Sequence, residues 1–127
     1  VETSVQEQLD YGYEVARKIG ELDIGQTVIV KNGAVVALEA IEGTDACIER
    51  GGLLTERSGA VAVKIAKPKQ DMRFDVPAIG LTTIDNLSKA GITVLGVEAQ
   101  RTLFLEPQKI IDRANELGIT IVGLTPG

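Results

Sequence analysis

Histidine is absent from the 127 residues, and cysteine occurs once, as Cys47. Without an imidazole, Ser-His-Asp and Cys-His catalysis, imidazole proton shuttling and His-ligated zinc are excluded within this chain. Acid–base work must fall to carboxylates, Lys or Tyr. A single cysteine also precludes an intrachain disulfide and a thiolate metal cluster, which favours a reducing cytosol. The aromatic inventory is two tyrosines, Tyr11 and Tyr13, and two phenylalanines, Phe74 and Phe104. An RNA-binding platform of stacked rings is not built from so few, and the core must come from Val, Ile, Leu and Ala. Basic charge is short as well: 13 Lys and Arg against 18 Asp and Glu leave a net charge of −5. That balance repels a polyphosphate backbone, so nucleic acid is an unfavoured partner. No apolar run approaches the roughly 18 residues of a membrane-spanning helix, and the first residues lack the basic and apolar regions of a secretory signal. The expected location is cytoplasmic, with peripheral contact at the inner membrane face allowed.

Hydrophobic residues make up 44% of the chain and charged residues 24%, the balance of a single globular domain with one core. Val5, Leu9, Gly12, Tyr13, Ala16 and Ile19 recur at helical spacing, predicting an amphipathic helix over residues 4–20, from Ser4 as N-cap to Gly20 as C-cap. Two β-prone runs, 26–31 and 34–40, flank Asn32-Gly33, the dipeptide best suited to the positive φ angles of a two-residue hairpin turn. Thr44 is expected to cap a short helix that stops at Gly51-Gly52. Strand 60–65 follows, then a helix opened by the pair Thr82 and Asp85 and ended at Gly91, then a buried strand over 92–97. A strand at 102–105, a helix from Pro107 to about Gly118 and a strand at 119–122 complete the order. The expected fold is a single α/β domain, a mixed sheet with one β-hairpin and helices packed on it.

The most chemically suggestive stretch is Lys67-Pro-Lys-Gln-Asp-Met-Arg-Phe-Asp-Val-Pro77. If it is extended, Lys67, Lys69, Asp71, Arg73 and Asp75 share one face. Three cations and two carboxylates together suit a divalent ion and an anionic substrate. The same alternation also dresses an edge strand against unwanted pairing. A second candidate is Glu39-Ala-Ile-Glu42-Gly-Thr44-Asp45, where a strand gives way to a helix N-terminus beside three carboxylates. Helix capping by Thr44 and Asp45 is its plainer explanation. The third, Glu98-Ala-Gln-Arg101-Thr102, follows an apolar strand at the place where α/β sheets gather ligands, although a surface salt bridge would look the same. Cys47 in an apolar helical stretch reads as a buried small hydrophobe, and Lys64 as a residue extending from a strand. Gly51-Gly52 fits neither a P-loop nor a dinucleotide fingerprint.

Taken together, Ile19-Gly-Glu-Leu-Asp-Ile-Gly-Gln-Thr-Val-Ile-Val30, Glu39-Ala-Ile-Glu-Gly-Thr-Asp45, Lys67-Pro-Lys-Gln-Asp-Met-Arg-Phe-Asp-Val-Pro-Ala-Ile-Gly80 and Gly96-Val-Glu-Ala99 resemble the C-terminal domain of the LpxI-type UDP-2,3-diacylglucosamine diphosphatases, over about residues 12–124. The resemblance implies hydrolysis of the diphosphate of UDP-2,3-diacylglucosamine to UMP and 2,3-diacylglucosamine 1-phosphate in lipid A synthesis, assisted by Mg²⁺ or Mn²⁺. It also implies that residues 1–127 are the C-terminal catalytic-type domain of a longer protein. Its Rossmann-like N-terminal domain, outside this chain, would be a required partner, and a homodimer is a further expected association. Carried onto matching positions, Asp71 and Asp75 are the expected catalytic and metal-binding carboxylates. Glu42, Asp45 and Glu98 are further metal candidates, and Lys67, Gln70, Arg73, Thr44 and Arg101 are expected to bind substrate. The alternative is a noncatalytic nucleotide- or lipid-head-group-binding or regulatory module of the same fold.

Overall fold

The structure is a computed structural model that describes residues 1–66 and 78–126. Lys67, Gln70, Asp71, Arg73 and Asp75 therefore lie outside the described residues. In chain order the elements are α1 (Thr3–Glu21), β1 (Thr27–Lys31), β2 (Ala34–Leu38), α2 (Thr44–Leu54), β3 (Val61–Lys64), β4 (Ala78–Ile79), α3 (Leu81–Lys89), β5 (Val94–Glu98), β6 (Leu103–Phe104), α4 (Pro107–Leu117) and β7 (Thr120–Leu124). The expected single α/β domain with a mixed sheet is what forms. Five strands make the main sheet in the order β2-β1-β3-β5-β7, and β4 pairs with β6 in a separate two-stranded sheet. β1 is antiparallel to β2 and β3, whereas β3, β5 and β7 are mutually parallel.

Strand pleating splits the core in two. Val28, Val30, Val61, Val63 and Ile65 pack beneath Leu9, Tyr13 and Ala16 of α1. Ile29, Ala62, Leu95 and Val97 point the other way, into a core shared with Cys47, Ile48, Ile84, Leu87 and Ile110 of α2, α3 and α4. Successive residues of β1 and β3 thus serve opposite layers, as the period of two requires.

The hairpin turn follows its sequence. Asn32 (φ 52°) and Gly33 (φ 78°) both take positive φ, the requirement of a two-residue turn whose twist matches its strands. Helix termini differ more. Glu2, not Ser4, precedes α1, and the helix runs past Gly20 to the C-cap Leu22 because Gly20 belongs to the buried face. Gly43 (φ 91°, ψ 168°), not Thr44, is the N-cap of α2, in a conformation open to glycine alone. Thr44 is spared for another task. Gly51-Gly52 does not stop α2: a Cβ on Gly51 would lie 2.7 Å from Ile29, and one on Gly52 would lie 2.6 Å from Ala90 Cβ and 2.8 Å from its Cα. The glycines let α2 approach β1 and α3. At α3 the cap is Gly80 without a side-chain bond, and Asp85 instead accepts from Arg113 of α4 at 2.7 Å. The two-residue β4 is too short to carry a periodic signal and was not expected from the sequence.

Candidate functional site

Parallel pairing places the carboxyl ends of β3, β5 and β7 at one edge of the sheet. The antiparallel hairpin brings the start of β1 and the end of β2 to the same edge, since Thr27 lies opposite Lys64 and the Glu39 N–H donates to Thr27 O at 2.8 Å. Two of the regions singled out in the sequence, Glu39–Asp45 and Glu98–Thr102, therefore meet there. Between them the chain leaves β3 through Ile65 and Ala66, the residues that lead into the charged segment. This is the edge at which α/β sheets collect ligands, because strand ends and helix N-termini leave backbone groups free there.

On the α2 side of the sheet the edge carries a buried polar chain. Thr27 and Glu39 are 1% and 6% exposed. The Thr44 hydroxyl donates to Glu39 Oε1 at 2.9 Å and lies 3.2 Å from the Thr27 hydroxyl. With its one proton committed to Glu39, Thr44 accepts from Thr27. Gly25 makes room for this: a Cβ there would sit 2.1 Å from Glu39 O. Lys64 adds the cation. Burial lowers its pKa, while Glu39 and Asp45 act to hold its charge. Asp45 lies in the first turn of α2, at the positive end of the helix dipole. Glu42 stands on the exposed rim, accepting from the Ala40 N–H at 2.8 Å and from Arg50 at 3.1 Å. The Ala40 N–H is the main cause that lowers its pKa; burial opposes it and Arg50 adds to the lowering.

On the α1 side stands Glu98, 6% exposed at the end of β5. Its Oε2 accepts from the Tyr13 hydroxyl at 2.8 Å, and its Oε1 is 3.4 Å from the Ala66 nitrogen and 3.9 Å from Arg101 Nε. Burial, then the bond to Glu98 and its charge, push the Tyr13 phenol up to about 12. Arg17 lies over the Tyr13 ring, 5.8 Å from its centroid. A cleft of about 520 Å³ opens beside this pair, lined by Asp10, Tyr13, Glu14, Arg17, Lys18 and Thr125 among others.

The structure thus brings Thr44 and Asp45 together with Lys64 on one face and Arg101 with Glu98 on the other. Glu42 stays on the rim, paired to Arg50. Among the described residues no three Asp, Glu or Cys side chains converge as a metal site would require. Sequence reasoning undervalued Glu39, Lys64 and Tyr13. The available signal was alternation: Glu39 falls two residues after Ala37 and Lys64 two after Ala62, so each continues a buried face with a charged residue. Cys47 is fully buried, and desolvation pushes its thiol up to about 12, so it is the inert core residue expected.

The fold resembles that of the dCMP deaminase of the cyanophage S-TIM5. The apo form superposes with a TM-score of 0.54 at 9% identity, over 98% of this chain and all 100% of the deaminase. Its complex with dCMP and dUMP gives 0.55 at 10% identity, over 98% and 99%. Identity this low speaks for the fold alone. Zinc deaminases hold their metal with His and Cys ligands, and this chain has no histidine and one cysteine, so the likeness does not extend to that chemistry. In sequence, the chain is 40% identical over 125 residues to the UDP-2,3-diacylglucosamine pyrophosphatase LpxI of Caulobacter vibrioides, covering 93% of this chain and 45% of that relative. The chain thus spans a little under half of the relative's length. The family model of the LpxI C-terminal domain matches residues 1–122, and on this match, with the α/β fold that carries it, the chain belongs to the LpxI C-terminal domain family.

Proposed function

We propose that this chain is the phosphate-handling part of a UDP-2,3-diacylglucosamine diphosphatase, which hydrolyses the diphosphate to UMP and 2,3-diacylglucosamine 1-phosphate in lipid A synthesis. The observation that carries the proposal is that one sheet edge presents Glu39, Thr44, Asp45 and Lys64 on one face and Glu98 with Arg101 on the other. The edge flanks Ala66, the residue from which Lys67 to Asp75 continue in sequence. Family membership and the 40% identical pyrophosphatase support it. Because the chain covers 45% of that relative, the substrate is taken to be shared with a further domain of the whole protein.

Hydrolysis of a diphosphate needs an activated water and cations to disperse charge on the phosphoryl oxygens. Lys67 and Arg73, with Gln70, Thr44 and Arg101, are assigned to hold the phosphates, and Asp75 with Asp71 to orient and deprotonate the water. Asp71 and Asp75, with Asp45 and Glu42 from the start of α2, offer the hard oxygen donors that Mg²⁺ or Mn²⁺ prefers. Such an ion, when bound, polarises the phosphoryl oxygens and acidifies water. Among the described residues no helix is long and apolar enough to cross a membrane.

The test uses the full two-domain protein with UDP-2,3-diacylglucosamine and Mg²⁺, following UMP release. Asp75→Ala is expected to lower kcat at least about a hundredfold with substrate binding retained, the signature of a group acting in the transition state. Equal kcat in variant and parent removes Asp75 from the mechanism. Wild-type protein that binds the substrate without releasing UMP is instead a binding module.

A further inference from the structure

A carboxylate that is 6% exposed is an expensive way to fill a core position. A buried ionic group adds little stability over an apolar side chain of similar size. Glu98 nevertheless stands at the end of β5, in the layer where the neighbouring Gly96 is packed against Leu9 and Leu124. Its contacts explain its presence better than stability does. One oxygen holds the Tyr13 hydroxyl of α1 at 2.8 Å. The other faces the Ala66 nitrogen at 3.4 Å. Ala66 is 2% exposed and lies beyond the last β3–β5 pair, Lys64↔Val97. Its N–H has left that ladder and has no access to water, so the carboxylate is the acceptor it needs. The backbone of Glu98 is occupied too: its carbonyl accepts from the Thr102 hydroxyl at 3.0 Å and from the Arg101 N–H at 3.3 Å. These bonds close a turn in which Gln100 takes φ 65°, a left-handed conformation that disfavours a non-glycine residue.

We infer that Glu98 is a positioning residue. Held by Tyr13, its carboxylate fixes the backbone at Ala66, the point at which the chain leaves β3 and from which Lys67 follows in sequence. The kinetic consequence rests on the diphosphatase reading; the tie itself does not. A displacement of about 1 Å in catalytic groups costs on the order of a hundredfold in rate, while ground-state binding, spread over nucleotide and lipid, changes little.

Glu98→Gln, Tyr13→Phe and the double variant are compared in the full two-domain protein. The expected result is a kcat at least about tenfold lower in Glu98→Gln, with KM and the half-saturating Mg²⁺ concentration within about threefold of the parent. Tyr13→Phe is expected to lose less, and the double variant no more than Glu98→Gln alone, because both act through one tie. If Glu98→Gln fails to fold, Tyr13→Phe keeps the carboxylate and carries the test. Unchanged kcat in the folded variants overturns the inference. So does a raised Mg²⁺ requirement in Glu98→Gln, which makes Glu98 a metal ligand, or a raised KM at constant kcat, which makes it a substrate contact. If the parent protein releases no UMP, the diphosphatase reading fails, and hydrogen exchange at the Ala66 amide decides the tie: faster exchange in the variants supports it and unchanged exchange overturns it.

Discussion

Two residues isolated in the core report on it directly. The Tyr13 phenol is pushed up to about 12 by burial and by its bond to Glu98, so in Tyr11→Phe the remaining phenol should ionise near that value in an absorbance titration. In Tyr13→Phe that step should be missing. The folded value lies above that of an unfolded tyrosine, about 10. Its contribution to stability is therefore complete below pH 10 and lost as pH rises from 10 through 12. The melting temperature of the parent should accordingly fall across that window more steeply than that of Tyr13→Phe. Cys47, fully buried with its thiol held up to about 12, should not react with a thiol reagent in the native protein and should react stoichiometrically in denaturant.

At the scale of elements, the glycines of α2 separate two roles that look alike in sequence. Gly51-Gly52 reads as a helix stop, yet the helix continues through both. A glycine pair is ambiguous: it is a poor helix former by propensity, but it is also what permits two elements to approach. Gly52→Ala gains about 1 kcal/mol in helix propensity but drives a methyl to within 2.8 Å of the Ala90 backbone, where overpacking costs roughly 1–3 kcal/mol. A net loss of about 1 kcal/mol is expected, measured as a lower urea midpoint at constant slope. Asp85 shows the same division: its spacing from Thr82 suits a capping pair, whereas in the fold it accepts from Arg113 across to α4. The hairpin, by contrast, was legible because its determinant, Asn32-Gly33, is local and conformational.

For the whole molecule, the described residues complete two cores without a metal cluster. If the metal-assisted diphosphatase reading proposed above holds, chelation with EDTA is expected to abolish UMP release by the full protein, while its melting temperature stays unchanged within about 2 °C. A large fall in that temperature would mean that an ion is structural. At the same scale, the sheet order explains why Glu39, Thr44, Asp45, Lys64, Glu98 and Arg101, far apart in sequence, share an edge. Parallel β3, β5 and β7 put their carboxyl ends together, and the antiparallel hairpin adds the start of β1 and the end of β2.

The sequence by itself determined the class of fold, the exclusion of imidazole and disulfide chemistry, and most of the helices and strands. These depend on composition and on periods of two and 3.6 residues, which a linear chain displays. It also pointed to Thr44, Asp45, Glu98 and Arg101 through their positions at element ends. Only the tertiary structure decided that Glu39 and Lys64 are buried companions of Thr44, and that Tyr13 meets Glu98 from 85 residues away. Those meetings depend on strand register and on which face of the sheet each helix covers. Both are settled by the simultaneous packing of two cores, and neither leaves a mark in any short window of sequence.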